Sequence, residues 1–214
     1  MNPPQPDPKT ARLAQTALAG IAIFALGIVL MHGLRPDYEV ASHMISDYAV
    51  GPWGSVMTTA FAGASVGCLM LALGLARSRP ASLAGWLVAA LFAVVAIGLA
   101  VTAAAPTDLP GAPSTTTGEI HEVSFLVNVA SIVLAALLTA VLTWRDARWR
   151  AHRVPALALA TLLVVGVVVQ FKTLHRGMPY GLANRFVVFV MVSWLVFIAL
   201  RLQRLGEAGD APSR

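Results

Sequence analysis

Apolar residues along this chain come in long unbroken runs, without the polar alternation of a half-buried strand or the charged face of a soluble amphipathic helix. Six stretches carry no formal charge: 13–34, 48–76, 80–107, 123–144, 154–171 and 186–200. A hydrocarbon core about 30 Å thick takes about 20 helical residues to cross, so these stretches predict membrane-spanning helices. The last is short, but 177–184 before it is also uncharged, and Arg185 alone interrupts a longer segment from which it can reach the interface. The first run is longer than the roughly 7 to 15 apolar residues of a signal-peptide core and reads as a retained helix. The expected fold is all-α, an integral membrane six-helix bundle over 13–204. Short cytoplasmic tails flank it, 1–12 (proline-rich and disordered) and 205–214.

Charge gives the bundle a direction. Lys9, Arg12, Arg77, Arg79, Arg145, Arg148, Arg150, Arg153, Arg201, Arg204 and Arg214 fall on one side of the alternating spans, whereas Arg35, Lys172, Arg176 and Arg185 fall on the other. Cytoplasmic loops carry the excess of lysine and arginine, so both termini are expected in the cytoplasm of a cell whose plasma or inner membrane holds the protein. The acids Asp37, Glu39, Asp47, Asp108, Glu119 and Glu122 all gather on the outer side. Composition agrees, with 57% hydrophobic and 12% charged residues. The net charge of +5 is explained by these inner arginines and calls for no nucleic acid. The single cysteine, Cys68, excludes an intrachain disulfide. Gly63, Gly67 and Gly74 lie on one small-residue face of the second span and are expected to meet another helix.

Three outer loops hold nearly all residues capable of chemistry. In the first, RPDYEVASHMISDYAVGPWG, the positions His43, Ser46 and Asp47 share a face if the segment is helical; alternatively Ser46 and Asp47 cap a short helix before the Gly51, Pro52 turn. Trp53 belongs at the outer interface. In the second, turn residues around Asp108 lead into the fourth span, where Thr116 and Glu119 have capping-box spacing. His121, Ser124, Asn128 and Ser131 then fall on one helical face, a polar stripe expected to point into the bundle or a wet cavity. The third loop supplies Lys172, His175, Arg176, Tyr180, Asn184 and Arg185; Lys172 and Arg176 equally suit interfacial anchors.

The DYEVASHMISDYAVGPWGSVM block, the PTD turn and the GEIH entry to the fourth span resemble the bacterial and archaeal family of membrane proteins called domain of unknown function 998. The resemblance implies a multi-pass membrane protein and no particular activity.

Three kinds of function suit such residues. One is binding of a lipid head group or small ligand in an outward-facing polar pocket built from His43, Ser46, Asp47, Asp108, His121, Ser124, Asn128, His175 and Arg185, with membrane lipids as partners. Another is a metal-dependent hydrolase acting on a lipid, in which His43, Asp47, Asp108 and His121 converge on a divalent ion such as zinc, although no zinc-binding spacing occurs and the ligands must come from separate loops. The third is a haem held between His32 and His121. No residue is singled out as catalytic.

Overall fold

The computed structural model describes residues 6–78, 82–175 and 177–208; Arg79, Arg176 and Arg214, and the tail segments 1–5 and 209–214, lie outside the described residues. Six α-helices follow one another: α1 Pro8–Leu34, α2 Gly54–Arg77, α3 Leu83–Ala104, α4 Thr116–Arg145, α5 Arg153–Thr173 and α6 Tyr180–Ala208. Two short 3-10 helices, Ile45–Ala49 and Ala147–His152, sit in the connections. All six α-helices are long and apolar enough to cross a membrane, and the protein is a multi-pass membrane protein.

The ends of the charge-free runs misplace several helix ends, because charges are tolerated once a helix leaves the hydrocarbon. α1 begins at Pro8, inside the stretch expected to be a disordered tail. Asp7 caps it, accepting from the Lys9 amide, and Pro8 lacks the N–H that a first-turn residue would leave unpaired. α4 starts seven residues ahead of its charge-free run, and α6 takes in Arg185 and continues to Ala208, past the expected boundary at 204. α2 starts late, at Gly54, because 48–53 turns the chain: Gly51 and Trp53 both have positive φ, at 80° and 62°. Trp53 is exposed there, as expected of an interfacial residue.

Neighbouring helices pack in chain order and α1 closes on α6, so the six form a ring. Phe92 of α3 and Trp194 of α6 stack inside it with ring centroids 5.2 Å apart. Both chain ends lie at one end of the ring, where the Asp7 amide donates to the Gly206 carbonyl at 2.9 Å. The arginines of that end fasten helix termini to one another. Arg77 pairs with Asp7 at 2.7 Å, Arg148 joins Asp146 to the Ser78 carbonyl, Arg201 donates to the Arg148 carbonyl, and Arg153 donates to the Thr143 carbonyl. The opposite end carries the three loops rich in acids and histidines.

The small-residue face of α2 does meet a helix. Gly63 and Gly67 lie against Gly20 of α1, and Gly74 lies against Leu202 of α6. A Cβ on Gly20 would run into the Gly63 carbonyl and the Gly67 backbone, atoms that cannot move without separating the helices. Gly33, in the same helix, has nothing within 4 Å of the corresponding position. Gly20→Ala should therefore lower the stability of the detergent-solubilised protein, followed by its melting, by the order of ~1 to 3 kcal/mol that overpacking costs. Gly33→Ala should leave it unchanged or raise it by up to about 1 kcal/mol through helix propensity. Equal responses of the two variants would contradict a close α1–α2 backbone contact.

Candidate functional site

At the acidic end, the first loop is folded onto the start of α6. Arg185 makes the joint: its Nε donates to His32 Nε2 at 2.9 Å, Nη1 to the carbonyls of Val40 (2.9 Å) and His43 (2.6 Å), and Nη2 to the Tyr48 hydroxyl at 3.0 Å. The Gly181 amide donates to the Ala41 carbonyl at 2.8 Å, and a Cβ on Gly181 would strike the Val40 and His43 carbonyls. Asn184 Oδ1 accepts from the Ile45 amide at 3.0 Å. Positions 181, 184 and 185 share one helical face, and that face receives the loop. Arg185, expected among ligand-binding residues, is thus committed to holding the loop. His32 also has both ring nitrogens engaged, since Nδ1 sits 2.7 Å from the Ile28 carbonyl and Nε2 accepts from Arg185. Neither nitrogen is left for an axial bond to haem.

Inside the loop, Arg35 is buried and chelates Asp37 through Nε and Nη2, while Nη1 donates to the Val50 carbonyl at 2.7 Å. Hydrogen bonding to Arg35 holds the Asp37 carboxyl below its ordinary range, and the same pairing raises the guanidinium. Tyr38 stacks with His43, at 4.5 Å, and with Tyr48, at 5.7 Å. His43 precedes the 3-10 helix and packs on Tyr38, so it does not share a helical face with Ser46 and Asp47. Asp47 lies within that helix and is buried, with its carboxylate accepting from the Met44 amide at 2.9 Å, the capping arrangement. Burial pushes its pKa up to about 6, against the opposing pull of the Met44 amide, His43 and Arg185.

The second loop is held by Asp108, whose two oxygens accept from the Thr115 amide (2.8 Å) and the Thr115 hydroxyl (2.9 Å). Thr115 Oγ1 in turn accepts from the Gly118 amide at 3.1 Å and caps α4. The cap therefore falls one residue before the Thr116 expected from capping-box spacing, because Asp108 fixes Thr115. Glu119 accepts from the Ser114 hydroxyl at 3.3 Å and closes no box. Further along, His121, Ser124, Asn128 and Ser131 are all buried, as their helical spacing predicts. His121 Nδ1 lies 2.7 Å from the Ala105 carbonyl. A carbonyl only accepts, so Nδ1 carries the proton and a neutral ring keeps its lone pair on Nε2. Ser124 Oγ is 2.9 Å from Thr102 Oγ1, and the Asn128 amide reaches the same hydroxyl at 3.5 Å.

These elements surround two neighbouring spaces. The outer one is a vestibule of about 370 Å³, lined by Asp47, Asp108, Glu119, Glu122, His121 and His175 together with Ser46, Phe125, Tyr180 and others. Its described lining includes no lysine or arginine. Beneath it lies a mostly apolar cavity of about 100 Å³ to which all six helices contribute, from Phe24 of α1 to Met191 of α6. Ser46, His121 and Phe125 line both spaces, at the neck where the two adjoin.

Of the expected site residues, Ser46, Asp47, Asp108, His121 and His175 are brought to the vestibule, and Asn128 to the cavity below. His43 and Arg185 serve the loop, and Ser124 bonds to Thr102. The four proposed metal ligands are not gathered around one point: His43 is stacked on Tyr38 in the first loop, and Asp108 is hydrogen-bonded to Thr115 in the second. Among the described residues no three His, Cys, Asp or Glu side chains are grouped to hold an ion. Sequence reasoning passed over Gln170 and Thr102, which also line the cavity, as does Asn184, read from the sequence as part of the third loop. Gln170 carried a usable signal, as an amide within an otherwise apolar run.

The family model described as "Protein of unknown function (DUF998)" matches residues 18–201 of this chain. No curated protein and no solved structure matches it.

Asp47 supplies a pH test of the site. Its pKa in the folded state, about 6, lies above the value near 3.9 of an exposed aspartate. The folded chain therefore holds this proton more tightly than the unfolded one, and the contribution of Asp47 to stability falls as pH rises from about 4 to about 6. Asp47→Asn keeps an acceptor for the Met44 amide and removes the titration. Thermal unfolding followed between pH 4.5 and 7.5 should show a smaller decline for the variant than for the wild type. Superimposable pH profiles would contradict a buried, proton-holding Asp47.

Proposed function

The chain belongs to the DUF998 family, and from its geometry we propose that it binds an amphiphilic membrane lipid at the outer face, head group in the vestibule and apolar part in the cavity below. The observation that carries this is the shared lining: Ser46, His121 and Phe125 border both a polar chamber and an apolar one within the ring, and the ligand crosses from one to the other at this neck. A purely polar ligand would leave the lower cavity unfilled, and a purely apolar one would desolvate the acids above without compensation. Four acids and no lysine or arginine in the described lining favour a neutral or amine-bearing head group over a net-anionic one. The positive-inside asymmetry further supports the vestibule facing away from the cytoplasm, both termini cytoplasmic, in the plasma or inner membrane.

Native mass spectrometry of protein extracted from its own membrane tests the binding. The wild type should retain one lipid with a neutral or amine-bearing head group, and Ser46→Phe, which fills the neck, should lose it while its helical circular dichroism is unchanged. A lipid-free wild type, or equal retention by Ser46→Phe, would overturn the proposal. Orientation is checked separately. Reporters placed after Arg148 and at the C-terminus should read cytoplasmic, and those near Asp37 and Thr115 external; the reverse pattern would place the vestibule on the cytoplasmic side.

A further inference from the structure

One buried group has no role in the reading so far. Gln170 of α5 is 1% exposed, lines the lower cavity, and has no hydrogen-bond partner among the described residues for either its amide nitrogen or its amide oxygen. The Phe125 and Phe171 rings lie 6.4 Å apart, which sets Gln170 at about the depth of Phe125, just below the neck. Asn128 Oδ1, also without a partner among the described residues, follows about one helical turn deeper along α4. A buried primary amide lacking both partners is strongly unfavourable unless something supplies them. The cavity of about 100 Å³ has room for that partner, since a water molecule takes about 30 Å³ in the liquid.

Gln170 offers one donor group and one acceptor side by side, so its complement must both accept and donate. Interchanging the amide oxygen and nitrogen leaves that requirement unchanged. An ester only accepts and would leave the glutamine oxygen unpaired, whereas an amide or a hydroxyl satisfies both atoms. Resting on the amphiphile reading above, we infer that Gln170 selects a ligand carrying, immediately below its head group, a hydrogen-bond-donating and accepting group: an amide or hydroxyl in preference to an ester.

Two probes that differ only by N–H in place of O test this, N-methyldodecanamide and methyl dodecanoate, each titrated into the full-length protein in lipid nanodiscs at equal membrane mole fraction. Thermal stabilisation of the wild type should appear at about tenfold lower concentration of the amide than of the ester, the order that one additional hydrogen bond to a buried unpaired group provides. Gln170→Met, similar in volume and without the amide, should respond equally to both probes and melt no lower than the wild type without them. Equal responses of the wild type to both probes would overturn the role of Gln170 and leave amphiphile binding standing. No response to either probe would overturn both. The wild-type comparison decides the matter even if the variant fails to fold.

Discussion

The outer end of this protein depends on one guanidinium. Arg185 reaches from the first turns of α6 to His32 on α1, to Tyr48 in the 3-10 helix, and to two carbonyls of the intervening loop. An arginine at the edge of an apolar helix must be paired, because an unpaired charge entering hydrocarbon is strongly disfavoured. Here the pairing takes the form of a loop wrapped around it. With Asn184 catching the Ile45 amide beside it, Arg185 fixes the 3-10 helix over the mouth of the ring. Asp47 is thereby buried and Ser46 is set at the neck of the two chambers. Remove the joint and the vestibule has no roof.

Both ends of the ring bind arginines to carbonyls and carboxylates, and both hold carboxylates that accept from backbone amides. At the end where the termini meet, arginines donate to carbonyls and carboxylates at helix ends. At the other end, carboxylates accept from backbone amides and threonine: Asp108 on Thr115, Asp47 on Met44. Such bonds organise loops while leaving the space between them open. The acids therefore shape the chamber first, and Glu122, exposed at its rim, remains on its wall for a ligand to meet.

How much of this is legible in the chain follows from how local each determinant is. Spans are visible because hydropathy sums over neighbours in sequence, and all six are present. The buried stripe of His121, Ser124, Asn128 and Ser131 is visible for a similar reason, as a helix repeats every 3.6 residues whatever it packs against. Residues whose role depends on the fold of a loop are not visible in this way. Arg185 looks like a ligand arm until the loop it clamps is in place. His43 looks like a metal ligand until Tyr38 stacks on it, and Asp108 until Thr115 takes both its oxygens. Gln170 escaped notice because a single uncharged amide hardly changes the hydropathy of its helix, although its burial without a side-chain partner among the described residues singles it out.

A density map of the protein extracted with its native lipids tests the two-chamber account most directly. The account predicts one elongated density running from the vestibule beside Asp47 and Glu122, through the neck at Ser46, His121 and Phe125, to the side chain of Gln170. Isolated water peaks above and below a closed neck, with no continuous density between them, would contradict it.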